Sequence, residues 1–420
     1  MKKGLFLDEP IVAIDIGTTK ICVLVAQRIN THMFEIIGIG KAPSYGLAKG
    51  VVVDINKTIE AIKKAVEEAT IMSGVAIKRA IIGVSGSHIQ TLNSHGMVPI
   101  KRRVVSQTDI DAVIASAQAV TVAQGKQILH AIAQYFCVDG ERIQNPLGMH
   151  GVRLETEAHI ILGSISSVQN LIECCNQAGV AVTDIVLEQI ASGMSVLSED
   201  ERRLGVAVLD IGGGTSDFAL YNQNALMHTA VIPVAGNHFT HDVALCLRTT
   251  MAQAECIKKE VGSVLLESVQ AVSAEQASTH ETPLMIESVE GNAMRAVSVH
   301  ELNSILHCRA QELMHIVDMI IKKNQLRSLM SAGLVLTGGS SQLEGLVSLA
   351  SDQLCMNVRL GKPSSNQPCA QTLNSPLYAT VYGLLLYAYA SGDTNSMSNS
   401  TASLIHKIGT RMKHWITDLF

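Results

Sequence analysis

Apolar residues in this chain fall into short runs that alternate with glycine-rich bends and with longer segments of helical spacing. Residues 11–26, IVAIDIGTTKICVLVA, and 206–221, VAVLDIGGGTSDFALY, each read as a strand, a tight loop and a second strand. Laid on one another, they bring Asp15 onto Asp210, Ile16 onto Ile211 and Gly17 onto Gly212. A plain β-hairpin turn accounts for either stretch alone. The repeat implies a duplicated fold with two loops that face one ligand. Strands are expected at 34–40, 80–84, 127–137, 158–163, 180–187 and 225–233. Asp54 reads as the N-cap of a helix through about Met72, with Ile55, Ile59, Ile62, Val66 and Ala69 at helical spacing. Further helices are expected at 107–123, 166–178, 189–197, 239–248, 251–261 and 299–322, and 377–390 reads as a core helix.

This pattern divides the chain. Residues 1–86 and 166–197 form a first lobe, and 87–165 a small inserted α/β subdomain. Residues 198–390 form a second lobe, whose more polar part, at about 225–300, reads as an exposed subdomain. Residues 391–402, SGDTNSMSNSTA, have nothing to bury and read as a flexible linker. In 403–420, Leu404, Ile405, Ile408, Met412, Trp415, Ile416 and Leu419 fall within an arc of about 120° on a helix, while Lys407, Arg411, Lys413 and His414 lie off it. Trp415 is the only tryptophan. An apolar face with an interfacial Trp and flanking cations fits a helix lying in a bilayer surface. Docking back onto the protein's own domains is the competing reading, and the linker favours lipid. Gly409 costs about 1 kcal/mol against alanine, so folding waits for lipid, and firm attachment needs several copies.

Composition narrows the function. The chain has 420 residues, 47% hydrophobic and 16% charged, enough for two or more folded domains. Aromatics are 3%, so the cores must be aliphatic. A net charge of −5 argues against a nucleic-acid binder. Nine scattered cysteines show no metal spacing, and with no signal-peptide pattern they point to a reducing cytoplasm. No apolar run reaches the roughly 20 residues that a membrane-spanning helix needs. Lys101-Arg102-Arg103 reads as a solvated strand end, and His150 and His159 as structural.

The chemistry lies in the bends. Glycines let backbone N–H groups approach a ligand closely, and successive amides in a bend suit a phosphate. Asp15 and Asp210, each at a strand end, suit a hydrated Mg²⁺ beside it. Glu255 and Lys258 share one helix face, which reads equally as a surface ion pair. In LVLTGGSSQLEGL, 334–346, a strand runs into Gly338-Gly339, and Ser340 is expected to cap the next helix. Such a joint admits a flat ligand such as a purine.

Taken in order, DxGTT, DIGGGTSD, a helix-opening glycine, Glu-x-x-Lys and TGGSS resemble the nucleotide core of the actin, Hsp70 and sugar-kinase superfamily over most of 11–390. VAVLDIGGGTSDFALY, PVAGNHFTHDVA and the tail resemble more closely the FtsA family of bacterial cell-division proteins. The insertion matches the subdomain that this family carries in place of a usual actin subdomain. The resemblance implies an actin-like duplicated α/β ATPase fold, two lobes around a nucleotide cleft, with ATP and Mg²⁺ as cofactors. It implies that Gly17, Thr18, Thr19 and Lys20 form the first phosphate loop and Gly212, Gly213, Gly214 and Thr215 the second. Asp15 and Asp210 would hold Mg²⁺ through water. Gly236 would lie near phosphates and ribose, Glu255 and Lys258 beside ribose and adenine, and Gly338, Gly339 and Ser340 on the adenine side. Glu188 would orient water, although Gln189 stands where that family is expected to carry Pro. The implied function is a filament-forming tether, with at most slow ATPase activity, that anchors FtsZ through its C-terminal peptide. The tether would be peripheral, on the cytoplasmic face of the bacterial inner membrane at the division site, and other division proteins would bind it. A small-molecule kinase or an Hsp70-like ATPase is the alternative. The first lacks a substrate-site cluster and the second a peptide-binding domain.

Overall fold

The computed structural model describes residues 10–30, 33–266, 283–288, 294–363 and 373–391. The expected linker and amphipathic helix at 391–402 and 403–420 lie outside the described residues beyond 391, as do residues 1–9 and much of 262–300.

Two five-stranded sheets share one strand order. The first runs Ala181–Leu187, Arg79–Val84, Ile11–Ile16, Lys20–Asn30, Met33–Pro43. The second runs Val358–Leu360, Leu334–Thr337, Val206–Ile211, Ser216–Asn222, Ala225–Ile232. In each, the central hairpin and the strand after it are antiparallel, and the remaining two strands join in parallel. The register repeats too. Asp15 pairs with Cys22, and Asp210 with Asp217.

Strand glycines bring the covering helices onto the sheets. Helix Ile55–Ser73 starts at Asp54, whose Oδ1 accepts the Lys57 N–H at 3.1 Å, and it buries Ile59, Ile62, Ala65 and Ala69. A Cβ on Gly40 would lie 1.9 Å from the Ala65 carbonyl oxygen, so only glycine lets this helix sit directly on strand Met33–Pro43. Helix Val299–Lys323 covers the second sheet with Leu302, Leu306, Leu313, Val317 and Ile321. Both cores are mainly aliphatic, with Phe34, Tyr221, Tyr378, Tyr382 and Tyr387 buried in the first and Phe218 and Phe239 in the second.

Between Gln90 and Ser164 lies a four-stranded antiparallel sheet in the order Gln90–Pro99, Arg153–Ser164, Lys126–Val138, Glu141–Ile143, covered by helix Gln107–Gln118. That helix stops short of the expected 123, where the β-branched Val120-Thr121-Val122 follows. Strand Ala225–Ile232 also departs from expectation. It is the edge of the second main sheet, not part of a separate subdomain. Two helices cross between the lobes, Glu188–Val196 and Ala379–Ser391. Their backbones nearly touch, because a Cβ on Gly383 would fall 1.8 Å from the Ala191 carbonyl oxygen. Among the described residues, no helix is long and apolar enough to cross a membrane.

Candidate functional site

The hairpin loops meet at the centre of the molecule. In the first, the Gly17 N–H donates to the Lys20 carbonyl at 3.0 Å, and in the second the Gly212 N–H donates to the Thr215 carbonyl at 3.0 Å. The loops face each other so closely that a Cβ on Gly213 would lie 2.3 Å from Thr19 Cγ2, and one on Gly214 would lie 2.5 Å from Thr18 Oγ1. Here glycine is required by contact with the opposite lobe.

Around this contact is an open cleft of roughly 560 Å³, counting the solvent space at its mouth. Both loops line it, together with Gly50, Ser85, Glu188, Asp217, Gly338, Gly339 and Thr380. Four carboxyls converge behind the loops. Burial, partly offset by Lys20, pushes Asp15 up to about 6. Burial raises Asp210, against hydrogen bonds from Ser192 Oγ and from Thr380 Oγ1 at 2.9 Å. Burial pushes Asp217 up to about 7, although Ser85 Oγ and Gln189 Nε2 each donate to its Oδ1 at 2.6 Å. Burial, then Asp15, Asp217 and Asp210, hold the Glu188 carboxyl well above its ordinary range. Glu188 opens its helix, one residue earlier than expected.

This donor set is all hard oxygen. Among the described residues, no three His, Cys, Asp or Glu side chains form a direct metal cage. The residues fit a hydrated Mg²⁺, which keeps several waters and is bound through one or two carboxylates.

The remaining expected residues stand behind the second loop. Helix Gly236–Leu247 begins at Gly236 rather than 239, and its first two amides are spent on the loop. The Gly236 N–H donates to the Gly212 carbonyl at 3.0 Å, and the Asn237 N–H to the Gly213 carbonyl at 2.8 Å. Lys258 Nζ lies 2.6 Å from Glu255 Oε2, 2.8 Å from Thr240 Oγ1 and 3.2 Å from the Gly236 carbonyl. The Glu255–Lys258 pair is therefore tied to the loop rather than free on the surface. Ser340 does not cap a helix. The next helix, Leu346–Leu354, starts after Gly345, and Ser340 Oγ donates to the Gly212 carbonyl at 2.9 Å. Gly338, expected on the purine side, also packs on Asp210. At φ +84°, its Cβ would fall 2.2 Å from Asp210 Oδ1. Lys20 Nζ donates to the Leu377 carbonyl and lies 5.6 Å from the Tyr378 ring centroid, at the cleft wall.

Sequence reasoning missed Asp217, Ser85, Gln189, Ser192 and Thr380. Asp217 had a signal, a charge standing directly before the apolar run FALY and opposite Asp210. The hydroxyls had none.

Residues 207–383 match the family model described as cell division protein FtsA, and 86–162 match the SHS2 domain inserted in FtsA. The chain is 40% identical over 417 residues to the cell division protein FtsA of Pseudomonas aeruginosa, covering 98% of each. It is 34% identical over 421 residues to that of Escherichia coli K12, again covering 98% of each. Among solved structures it superimposes on a chain of the PilM–PilN type IV pilus biogenesis complex (TM-score 0.65, 16% identity, 90% of this chain and 98% of that one). It also superimposes on MreB 5 of Spiroplasma citri bound to AMPPNP (TM-score 0.55, 15% identity, 92% and 97%). At such identities the likeness is one of fold, and the fold is actin-like.

Proposed function

The chain belongs to the FtsA family of cell division proteins, and from that premise we propose that it is an actin-like ATP-binding tether of the division site. The observation that carries this reading is the contact of the two loops, Thr18 and Thr19 against Gly214 and Gly213, with four carboxyls behind it. Amides of both loops would cradle one triphosphate. Asp15 and Asp210 would hold Mg²⁺ through water, and the cation would neutralise charge on the phosphates. Ser192 and Thr380 keep Asp210 aimed from the two crossing helices. Glu188, inside the cleft, would take a proton from an attacking water in its ionised form, which burial and the neighbouring acids disfavour and which Lys20 favours. Turnover would be slow. Gly236, Glu255, Lys258 and Ser340 would act chiefly by fixing the second loop, with Gly339 on the open side.

In this reading, nucleotide sets the angle between lobes and so controls self-assembly into an actin-like filament. Residues 403–420, with Leu404, Ile405, Ile408, Met412, Trp415, Ile416 and Leu419 facing lipid, would hold the filament to the cytoplasmic face of the inner membrane. FtsZ would be captured there through its C-terminal peptide, and other division proteins would join. The lobes, insertion, linker and foot would divide the chain near the boundaries read from sequence, with the helix Ala379–Ser391 reaching the first residue of the expected linker.

The test is recruitment. With ATP, the full chain should carry a fluorescent FtsZ C-terminal peptide onto anionic liposomes, and Trp415 emission should shift blue. Loss of 403–420 should abolish the recruitment. Equal recruitment without that segment rejects the membrane foot. An unchanged ATPase rate in Glu188→Ala rejects the role given to Glu188.

A further inference from the structure

The inserted subdomain reaches both lobes through buried polar contacts. His130, on strand Lys126–Val138, is 2% exposed, and its Nε2 accepts the Leu187 N–H at 3.1 Å. An amide can only donate, so Nε2 is the unprotonated nitrogen. Burial pushes His130 down to about 4 and so keeps the ring neutral. Leu187 is the fully buried last residue of its strand and directly precedes Glu188. A buried amide without an acceptor is costly, so His130 fixes the backbone from which Glu188 projects.

Other side chains of the same sheet hold the opposite lobe. Gln134 Nε2 donates to the Met227 carbonyl at 2.8 Å and to the Leu226 carbonyl at 3.4 Å. His159 Nε2 meets Thr229 Oγ1 at 2.9 Å, and Thr91 Oγ1 donates to the Thr229 carbonyl at 3.3 Å. All these partners lie on Ala225–Ile232. That edge strand pairs with Ser216–Asn222, setting Val231 opposite Asp217. One sheet thus grips the entrance to the Glu188 helix and the strand beside Asp217.

We propose that the inserted subdomain is a nucleotide-state relay, in which His130 is a positioning residue for Glu188 and Gln134 transmits movement of the second lobe into the subdomain. This rests on the nucleotide reading above. A shift of the second lobe displaces Leu226 and Met227, and the Gln134 contact passes that shift to the strand that carries His130. The Glu188 backbone and the subdomain's outer surface then respond to one event.

Hydrogen exchange on the full chain, with and without Mg²⁺ and AMPPNP, tests this. A fluorescent ATP analogue measures binding separately. In the wild type, nucleotide should slow exchange by about tenfold at Leu187 and within 126–138, the size of one secured amide. Gln134→Leu should bind the analogue as the wild type does and keep Leu187 protected, but lose the nucleotide response in 126–138. His130→Leu should expose Leu187, and His130→Gln, which retains an acceptor, should restore at least half of the protection. A wild type that binds the analogue yet shows no response in 126–138 overturns the relay, as does an undiminished response in Gln134→Leu. If the wild type does not bind the analogue, the nucleotide reading itself falls and the relay with it.

Discussion

The first and second hairpins have the same backbone but different side chains. Strand order, register and the loop-closing hydrogen bond at 3.0 Å repeat from one to the other. Where the first loop has Lys20, the second has Thr215. Where Asp15 faces Cys22 across the ladder, Asp210 faces Asp217. The supports differ as well. The second loop is fastened through Gly236, Asn237 and Ser340, whereas the first is held by the Ser44 N–H on the Thr19 carbonyl at 3.0 Å and the Gly50 N–H near Thr18 Oγ1 at 3.4 Å. A duplicated backbone supplies two cradles, and its divergence makes the site polar, with one cation on the first lobe and the extra acid on the second.

Copying the acid into the first lobe should break the chain. Cys22→Asp puts a carboxyl at a fully buried position of the core, and we expect a loss of about 3–5 kcal/mol in denaturant unfolding. A loss below about 1 kcal/mol would mean that the two sites are interchangeable. The next effect is at the loop contact. Gly213→Ala should weaken binding of a fluorescent ATP analogue by about tenfold or more, near 1.4 kcal/mol, because its methyl meets Thr19. Thr19→Ala in the same chain should recover part of that loss.

A pH effect follows from the buried carboxyls of both hairpins. Folding lifts Asp217 from 3.8 to about 7, so the folded chain holds a proton that the unfolded chain releases. The stability from this group is complete below pH 3.8 and is lost as pH rises through about 7. The metal-free melting temperature should therefore fall between pH 5 and 8. Asp217→Asn should reduce that slope without abolishing it, because Asp15 in the first hairpin is also raised, to about 6, whereas Cys22→Ser should leave it unchanged. Smallest of all, Gly17→Ala and Gly212→Ala should differ by less than about 0.5 kcal/mol, since their Cβ atoms would meet the equivalent carbonyls at 3.0 and 3.1 Å. A larger gap in unfolding free energy would deny the backbone equivalence.

Much of this arrangement was legible in sequence because its signals are local. The two Asp-x-Gly bends and the Asp54 cap depend on neighbouring residues, and they appear where expected. Ser192 and Thr380 were not legible. They converge on Asp210 from helices nearly two hundred residues apart, and a hydroxyl in a helix has no pattern of its own. Ser340 misled for a related reason. It sits where a cap belongs, but Gly345 delays the helix and the hydroxyl turns to Gly212. His130 also escaped notice, because its acceptor role exists only once the inserted sheet packs on Leu187.

The central claim is that both loops and their two acids hold one magnesium nucleotide. Equilibrium titration of the folded full-length chain with an ATP analogue, with Mg²⁺ and with chelator, measures it directly. The account predicts tight retention with Mg²⁺, lost with chelator and lost in Asp210→Asn. Binding that ignores both magnesium and Asp210→Asn, or no binding by the folded chain, would contradict it.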